Sequence, residues 1–424
     1  MDRLIKKYKP RYKAIIDEKF AKDGSGWLLL QQLIIAPMSL ITTVLLARIL
    51  SIESYGYYKY ILSMYTIISI FSFSGIYNIT MMNIQRGEDD FFSLGFKYKK
   101  YLRWIPSIIS LFVALYYFYH HNSFLAIFFF INIFSYLIVD TYDFYLVALQ
   151  GRGEFKLNAT LGAFYYFVSF FPPVLIAYYT HNLYLVFITM YLCQGLFRII
   201  GFFYVKNKII LNDSVESINF NINKIKNWRR EIFSLSLNGA IGTLGVNINN
   251  IIIFNRLGAK DSALYSLALT FADFISGIII NTLTKSLLIM SRMTKEGLDD
   301  YKKKQYIKSL FSKYFIISLL STIFCFLILP FVYKFLFNKY LFSYKYAVIY
   351  SLSLLSLTFS PALYFFTEKR MFSTINIIQI IILIVNIIFV FISTMYFGIL
   401  GAIVAAVFMK FVINITYTAL IYIK

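Results

Sequence analysis

Arg48-Ile-Leu-Ser-Ile-Glu53-Ser54-Tyr-Gly-Tyr57 and Arg256-Leu-Gly-Ala-Lys-Asp261-Ser262-Ala-Leu-Tyr265 repeat one pattern without a gap, 208 positions apart in a chain of 424 residues. In both, an Arg is followed by an acid, a Ser and, at the end of the run, a Tyr. Each copy closes one long apolar segment and opens another. A repeat at about half the chain length, flanked in this way, predicts two equivalent helical lobes. With six spans in each half, both halves start on the same side of the membrane, so the lobes share one orientation and are related by an axis along the membrane normal, which argues against an inverted repeat.

The surrounding composition places those segments in lipid. Hydrophobic residues make up 59 % of the chain and charged residues 14 %, against roughly 45–50 % and 25 % in soluble domains. Crossing the hydrocarbon core takes about 20 mostly apolar residues per helix. Twelve stretches meet this: 26–49, 57–81, 104–119, 124–148, 157–179, 184–205, 233–255, 263–289, 309–333, 346–366, 374–397 and 400–423, the third being the shortest. The runs are too long and too uniformly apolar for barrel strands, and backbone groups in lipid must be paired internally, so the expected fold is all-α. The expected division is a basic N-terminus (1–25), a first six-helix lobe (26–205), a linker (206–232) and a second six-helix lobe (233–424). Within the linker Ile218, Ile222, Ile225 and Trp228 share one helical face, which predicts an amphipathic segment lying on the membrane.

The net charge of +21 has a topological reading. Of the 41 Lys and Arg residues, 30 fall on one set of connections and termini and 7 on the other. The positive-inside rule then puts both termini in the cytoplasm, and the surplus is explained without a nucleic-acid partner. The first apolar run is too long for a signal-peptide core. Several chemistries are disfavoured. Cys193 and Cys325 stand singly in two spans, His120, His121 and His181 lie in short turns without ligand-type spacing, and no Gly-rich nucleotide loop occurs, so neither a metal nor a cofactor is expected. The outer connections are short, the longest running from Lys334 to Lys345, which leaves no platform for a membrane glycan polymerase. The chain is expected not to be an enzyme.

Ionisable groups deep in a span are functional candidates because of their cost. Asp273 and Lys410 each lie at least ten residues from either end of their span, about 15 Å at 1.5 Å per residue; they must pair, with each other or with another group, or face a water-filled cavity. Lys285 and Arg198 are close enough to the basic boundary to snorkel. Asp140 and Asp143 share a helical face and either form a proton or cation site or meet Arg152 or Lys156. Gly239, Thr243, Asn247 and Asn250 form a polar stripe beside Gly242 and Gly245, read either as helix-packing contacts or as the lining of a sugar-binding cavity. Ser39 and Thr42 occupy the positions equivalent to Asn247 and Asn250, with Gln31 and Gln32 nearby. Arg48 and Arg256 each cap their own helix C-terminus or bind an anion.

The stretch from Asn249 through Arg256, Gly258, Ala263 and Tyr265 to Ala268, with its partner Ala47 to Gly56, resembles the bacterial polysaccharide-biosynthesis flippases of the Wzx type. These belong to the superfamily of multidrug, oligosaccharidyl-lipid and polysaccharide exporters. The resemblance implies a transporter in the bacterial inner membrane. It would carry undecaprenyl-pyrophosphate-linked oligosaccharide repeat units from the inner to the outer leaflet by alternating access, for surface polysaccharide such as O-antigen. It implies a central cavity lined by spans one, two, seven and eight, with Arg48, Asn247, Asn250, Arg256, Asp273, Asn281 and Lys285 facing it. Lys410 joins this substrate-binding set from its depth. Many relatives carry an Asp where this chain has Asn250, which leaves Asp273, Asp140 and Asp143 as ion-coupling carboxylates. Expected partners are the lipid-linked oligosaccharide, membrane lipids, and a polysaccharide polymerase with its chain-length regulator. The competing readings are a multidrug/cation antiporter of the same superfamily and a membrane glycan polymerase.

Overall fold

A segment in hydrocarbon must satisfy its own backbone, and the chain does so with helices: in the computed structural model no strand occurs among the described residues. These are residues 26–27, 30–85, 87–208, 222–295, 300–368 and 372–423, without side chains at 222–227, 281–295, 300–304, 364–365, 367–368, 372–373 and 422–423. Among the described residues ten helices are long and apolar enough to cross a membrane, and one bent pair makes an eleventh. The tenth, Thr374–Ile421, spans 48 residues, more than twice the requirement of about 20. It contains Gly398 at φ 58°, ψ −139°, and a Cβ on Gly401 would lie 2.1 Å from the Ser393 carbonyl oxygen. Residues eight apart in a straight helix are separated by about 12 Å, so the chain doubles back at Gly398. Two spans result, and the twelve expected crossings are met.

The helices are α1 (Leu30–Ile49), α2 (Ile52–Ile68), α3 (Gly75–Gln85), α4 (Asp90–Leu102), α5 (Trp104–Tyr119), α6 (Ser123–Tyr142), α7 (Tyr145–Gly151), α8 (Phe155–Thr180), α9 (Leu183–Lys208), α10 (Ile222–Leu257), α11 (Ala259–Lys295), α12 (Asp300–Phe335), α13 (Ser343–Ser351), α14 (Pro361–Glu368) and α15 (Phe372–Ile423). Span two is α2 with a 3₁₀ turn at Ser69–Ser72, followed by α3 at a bend of 53°. Phe73, at φ 55°, takes the left-handed conformation at that break. Span three is longer than its apolar core suggests. It runs from Asp90 to Tyr119 as α4 plus α5, so Lys97, Lys99, Lys100 and Arg103, expected in a connection, sit on a spanning helix. α8 continues through Pro172 and Pro173.

The chain separates into two compact units, one drawn from Met1–Thr43 and Ile68–Gly239, the other from Val44–Ile67 and Ala240–Lys424. These differ from the sequence halves in a specific way: the repeat turn of the first half, Val44–Ile67, belongs to the second unit, and the chain leaves it again at the broken part of span two. The first unit has a core of Ile76, Phe91, Phe92, Phe144, Tyr145 and Phe202 among others, in which Trp228 is also buried. Trp228 therefore does not lie on a membrane surface. Its ring packs 5.1 Å from Tyr98 and 6.1 Å from Phe91, because α10 begins at Ile222 and carries the end of the expected linker into the helix of span seven. Residues 209–221 of that linker, including Ile218, lie outside the described residues. A smaller cluster in the second unit joins Ile307, Phe366, Ile375 and Tyr417.

Candidate functional site

In the first unit, two carboxylates of span four face basic residues of neighbouring helices. α4 presents Phe91, Phe92, Gly95 and Lys99 on one buried face at helical spacing. Lys99 has no exposed surface, and its ammonium lies 2.8 Å from the Asp140 carboxylate. It also donates to the Ser72 carbonyl at 3.3 Å, an acceptor left without a helical partner by the break in span two. The ammonium sits 4.9 Å from the Tyr77 ring centroid, and the Tyr77 hydroxyl donates to the Asp140 carbonyl at 2.8 Å. One turn on, Asp143 pairs with Arg198, whose guanidinium lies 4.2 Å from the Tyr165 ring centroid.

These pairings correct two expectations. Asp140 and Asp143 meet neither Arg152 nor Lys156: Arg152 bridges to Asp89 at its carboxylate, and Lys156 lies over Trp27. The physical reason is that α4 extends span three far enough to bring Lys99 beside span four, so the partners come from lateral neighbours. Arg198 does not snorkel. It turns inward, where a paired acid and an aromatic face compensate its desolvation.

In the second unit the two copies of the repeat turn pack together. A Cβ on Gly56 would lie 1.9 Å from the Ala259 carbonyl oxygen, so the close approach of the two turns needs glycine at this position. Tyr60 stacks on Phe254 with centroids 3.8 Å apart, and Glu53 lies 3.6 Å from Lys260 on the exposed rim. The Arg48 guanidinium donates to the Leu336 carbonyl at 3.1 Å and to the Phe335 carbonyl, at the end of α12. Lys339 answers from beyond α12, donating to the carbonyls of Arg48 at 2.5 Å and Leu50 at 3.4 Å. Each helix end is thus capped by a cation carried near the end of the other, which satisfies terminal carbonyls and offsets both dipoles. Arg48 was expected to cap its own helix or to bind an anion. It caps a helix 288 positions away instead. Arg256 does something else, with its guanidinium 4.3 Å from the Phe391 ring centroid. Tyr340, between spans nine and ten, packs edge-on against Tyr55, and burial pushes its hydroxyl well above its ordinary pKa.

The polar stripe of span seven divides in two. Asn250 is buried, donating to the Ser63 hydroxyl at 2.9 Å and accepting from Ser262 at 2.8 Å and Ser266 at 3.2 Å. Three of the four hydrogen bonds an amide can make therefore go to protein hydroxyls on two other helices, the helix-packing role that was one of the two readings of the stripe. Asn249 next to it accepts from Asn386 at 2.9 Å. The opposite holds one to two turns earlier. A Cβ on Gly242 or Gly245 would meet no atom of the described residues within 4 Å, so neither glycine is needed for close packing against them. Asn247, half-buried, donates to the Thr243 carbonyl at 3.0 Å. In span one, Thr42 turns back on the Met38 carbonyl at 2.8 Å, and Ser39 bonds Tyr166.

Deeper in the second unit, the Asp273 carboxylate accepts from the Lys410 ammonium at 2.8 Å and from the Tyr350 hydroxyl at 2.9 Å. Lys410 also lies 4.6 Å from the Tyr350 ring centroid. The two residues singled out by depth alone thus stand side by side, although 137 positions separate them. Their side chains are 33 % and 48 % exposed for Lys410 and Asp273, so the pair can be approached. The side chains of Asn281 and Lys285 lie outside the described residues.

Comparisons with known proteins bear on the family and the fold. A family model described as polysaccharide biosynthesis protein matches residues 21–294. No curated protein matches the chain. Solved structures do. An inward-facing multidrug resistance MATE family transporter of the MOP superfamily is 12 % identical, with TM-score 0.69 over 93 % of this chain and 94 % of that one. A MOP superfamily transporter from Pyrococcus furiosus is 12 % identical, with TM-score 0.65 over 95 % of both chains. A Vibrio cholerae MATE transporter is also 12 % identical, with TM-score 0.62 over 95 % of this chain and 96 % of that one. At such identities the likeness is one of fold.

Proposed function

The chain belongs to the polysaccharide biosynthesis protein family, and from that premise we propose that this multi-pass membrane transporter is a lipid-linked saccharide flippase. It moves a saccharide unit joined through a diphosphate to an undecaprenyl lipid from the inner to the outer leaflet of a bacterial inner membrane, by alternating access, with both termini cytoplasmic. The glycan and diphosphate travel through the protein while the polyprenyl tail stays in lipid. Surface polysaccharide of the O-antigen type is the destination, and a polymerase with its chain-length regulator would be the proteins that receive the product.

The observation that carries this reading over a drug/cation antiporter is the state of the carboxylates. Asp140, Asp143 and Asp273 each stand against a Lys or Arg. A cationic substrate needs an uncompensated acid in its path, whereas a diphosphate needs cations it can reach, because an unpaired anion in low dielectric costs many kcal/mol. Lys410 is such a cation. In this reading the diphosphate takes Lys410 from Asp273, and the released carboxylate takes up the coupling ion. Arg256, Asn247, Asn281 and Lys285 supply further contacts; Arg48 and Asn250 would join them only by giving up the partners they now hold, and Asp140 and Asp143 would couple ions only after parting from their cations. The same fold accommodates changed pocket charge, since the Pyrococcus furiosus transporter is described as having a binding pocket of reverse polarity that suggests a different function.

Deleting the gene and following lipid-linked glycan tests the proposal. Single repeat units held on the inner leaflet are expected. Unpolymerised units on the outer leaflet would point to a polymerase, and normal surface glycan with altered drug tolerance would point to the antiporter.

A further inference from the structure

One concave site in the first unit lies apart from the repeat turns and the ion pairs. It is a groove of about 350 Å³ formed by α4, the end of α6 and the last turns of α9, a volume near the lower end of what small-ligand sites enclose, roughly 300–1,000 Å³. Its wall combines Phe92, Phe96 and Phe202 with Lys97, Lys100 and Lys206, and none of its nine lining residues is acidic. The aromatic part is built: Phe96 and Phe202 stack with centroids 4.6 Å apart, Phe92 stacks on both at 6.4 Å, and Tyr142 stands edge-on to Phe202 at 5.5 Å. Lys100 holds its ammonium 5.0 Å from the Phe96 ring centroid. Lys97 and Lys100 are exposed, so two long cations lean over an apolar floor from one rim and Lys206 rises from another.

We infer that this groove is a binding site for an anionic glycerophospholipid of the leaflet at the basic end of the helices. The exposed Lys97 and Lys100, in a wall whose described lining holds no acidic side chain, select a negative headgroup, and the aromatic floor selects an attached chain over a free phosphate. The groove continues onto a lipid-facing surface: Phe203, in its wall, is 52 % exposed, and Ile200 and Leu196, one and two turns along α9, are 66 % and 60 % exposed. The location is the one where such lipids are available, because basic pockets between helices on the cytoplasmic side meet the anionic leaflet. A polyprenyl-linked saccharide is a poorer match. The groove has no amide or carboxylate side chain to bond sugar hydroxyls, and its helices carry none of the polar stripe. The bound lipid would wedge α4 against α9 and so support the segment that positions Lys99.

Native mass spectrometry of the purified full chain tests this, with phosphatidylglycerol, phosphatidylcholine and undecaprenyl phosphate offered in equal amounts. The wild type is expected to retain phosphatidylglycerol over phosphatidylcholine. The Lys97→Ala, Lys100→Ala, Lys206→Ala triple variant is expected to lose that preference by on the order of tenfold to a hundredfold. The corresponding triple Arg variant, which keeps the charge, is expected to preserve it and so separates lost binding from misfolding. Equal retention of the two phospholipids by the wild type, equal phosphatidylglycerol retention by wild type and Ala variant, or preferential retention of undecaprenyl phosphate would each overturn the inference.

Discussion

Two acid–base pairs in this chain have the same 2.8 Å separation and opposite surroundings. Lys99 and Asp140, in the first unit, are 0 % and 19 % exposed, while Lys410 and Asp273, in the second, are 33 % and 48 % exposed. The first pair is enclosed at its ammonium, which a backbone carbonyl and a tyrosine ring share. The second has one neighbour in common, the Tyr350 hydroxyl and ring, and leaves both charges within reach. Removing either partner of a buried pair strands a charge, whereas an accessible pair can exchange partners at little cost. The difference suits the first pair to stability and the second to the exchange that the proposed function asks of it.

Five alanine substitutions and one double variant sharpen or break that contrast. Lys99→Ala should have the largest effect, a loss of about 3–5 kcal/mol in unfolding stability, because it leaves Asp140 uncompensated. The double variant Lys99→Met with Asp140→Leu should recover most of it, which thermal unfolding in detergent would reveal. Asn250→Ala comes next, at about 1–3 kcal/mol, since three serine hydroxyls lose their common partner; a negligible loss would show that the network does not hold spans two, seven and eight together. Arg48→Ala should cost about 0.5–1 kcal/mol through the uncapped end of α12, and Arg256→Ala less, so equal losses would argue that the two repeat arginines have not diverged. Lys410→Ala should change stability by under about 1 kcal/mol. A loss like that of Lys99→Ala would remove the distinction between the pairs.

Much of this was legible before the fold was known. Hydropathy located twelve crossings, including the pair that doubles back at Gly398, because crossing length is a local property of the sequence. The depth argument also identified Asp273 and Lys410. Lys99 was missed because the apolar core of span three starts at Trp104, so the lysines before it read as a connection. The available signal was the buried face of α4, with Phe91, Phe92 and Gly95 preceding Lys99 at helical spacing. Arg48 was misread for a different reason. Its acceptors on Phe335 and Leu336 are backbone atoms, which leave no mark in the side-chain sequence. The polar stripe of span seven was visible as a stripe, but its division between a satisfied Asn250 and open glycines depends on serines contributed by α2 and α11.

The most direct test of the account is transfer of an undecaprenyl-diphosphate-linked saccharide across vesicles containing the purified full chain. Wild type, Lys410→Ala and the Lys99→Met, Asp140→Leu double variant should be compared at equal protein content. The account predicts transfer by the wild type, near-wild-type transfer by the double variant, and a loss on the order of tenfold or more for Lys410→Ala, the scale of one charge-assisted contact. Equal transfer by Lys410→Ala and wild type, or movement of a cationic drug in place of the lipid-linked saccharide, would contradict it.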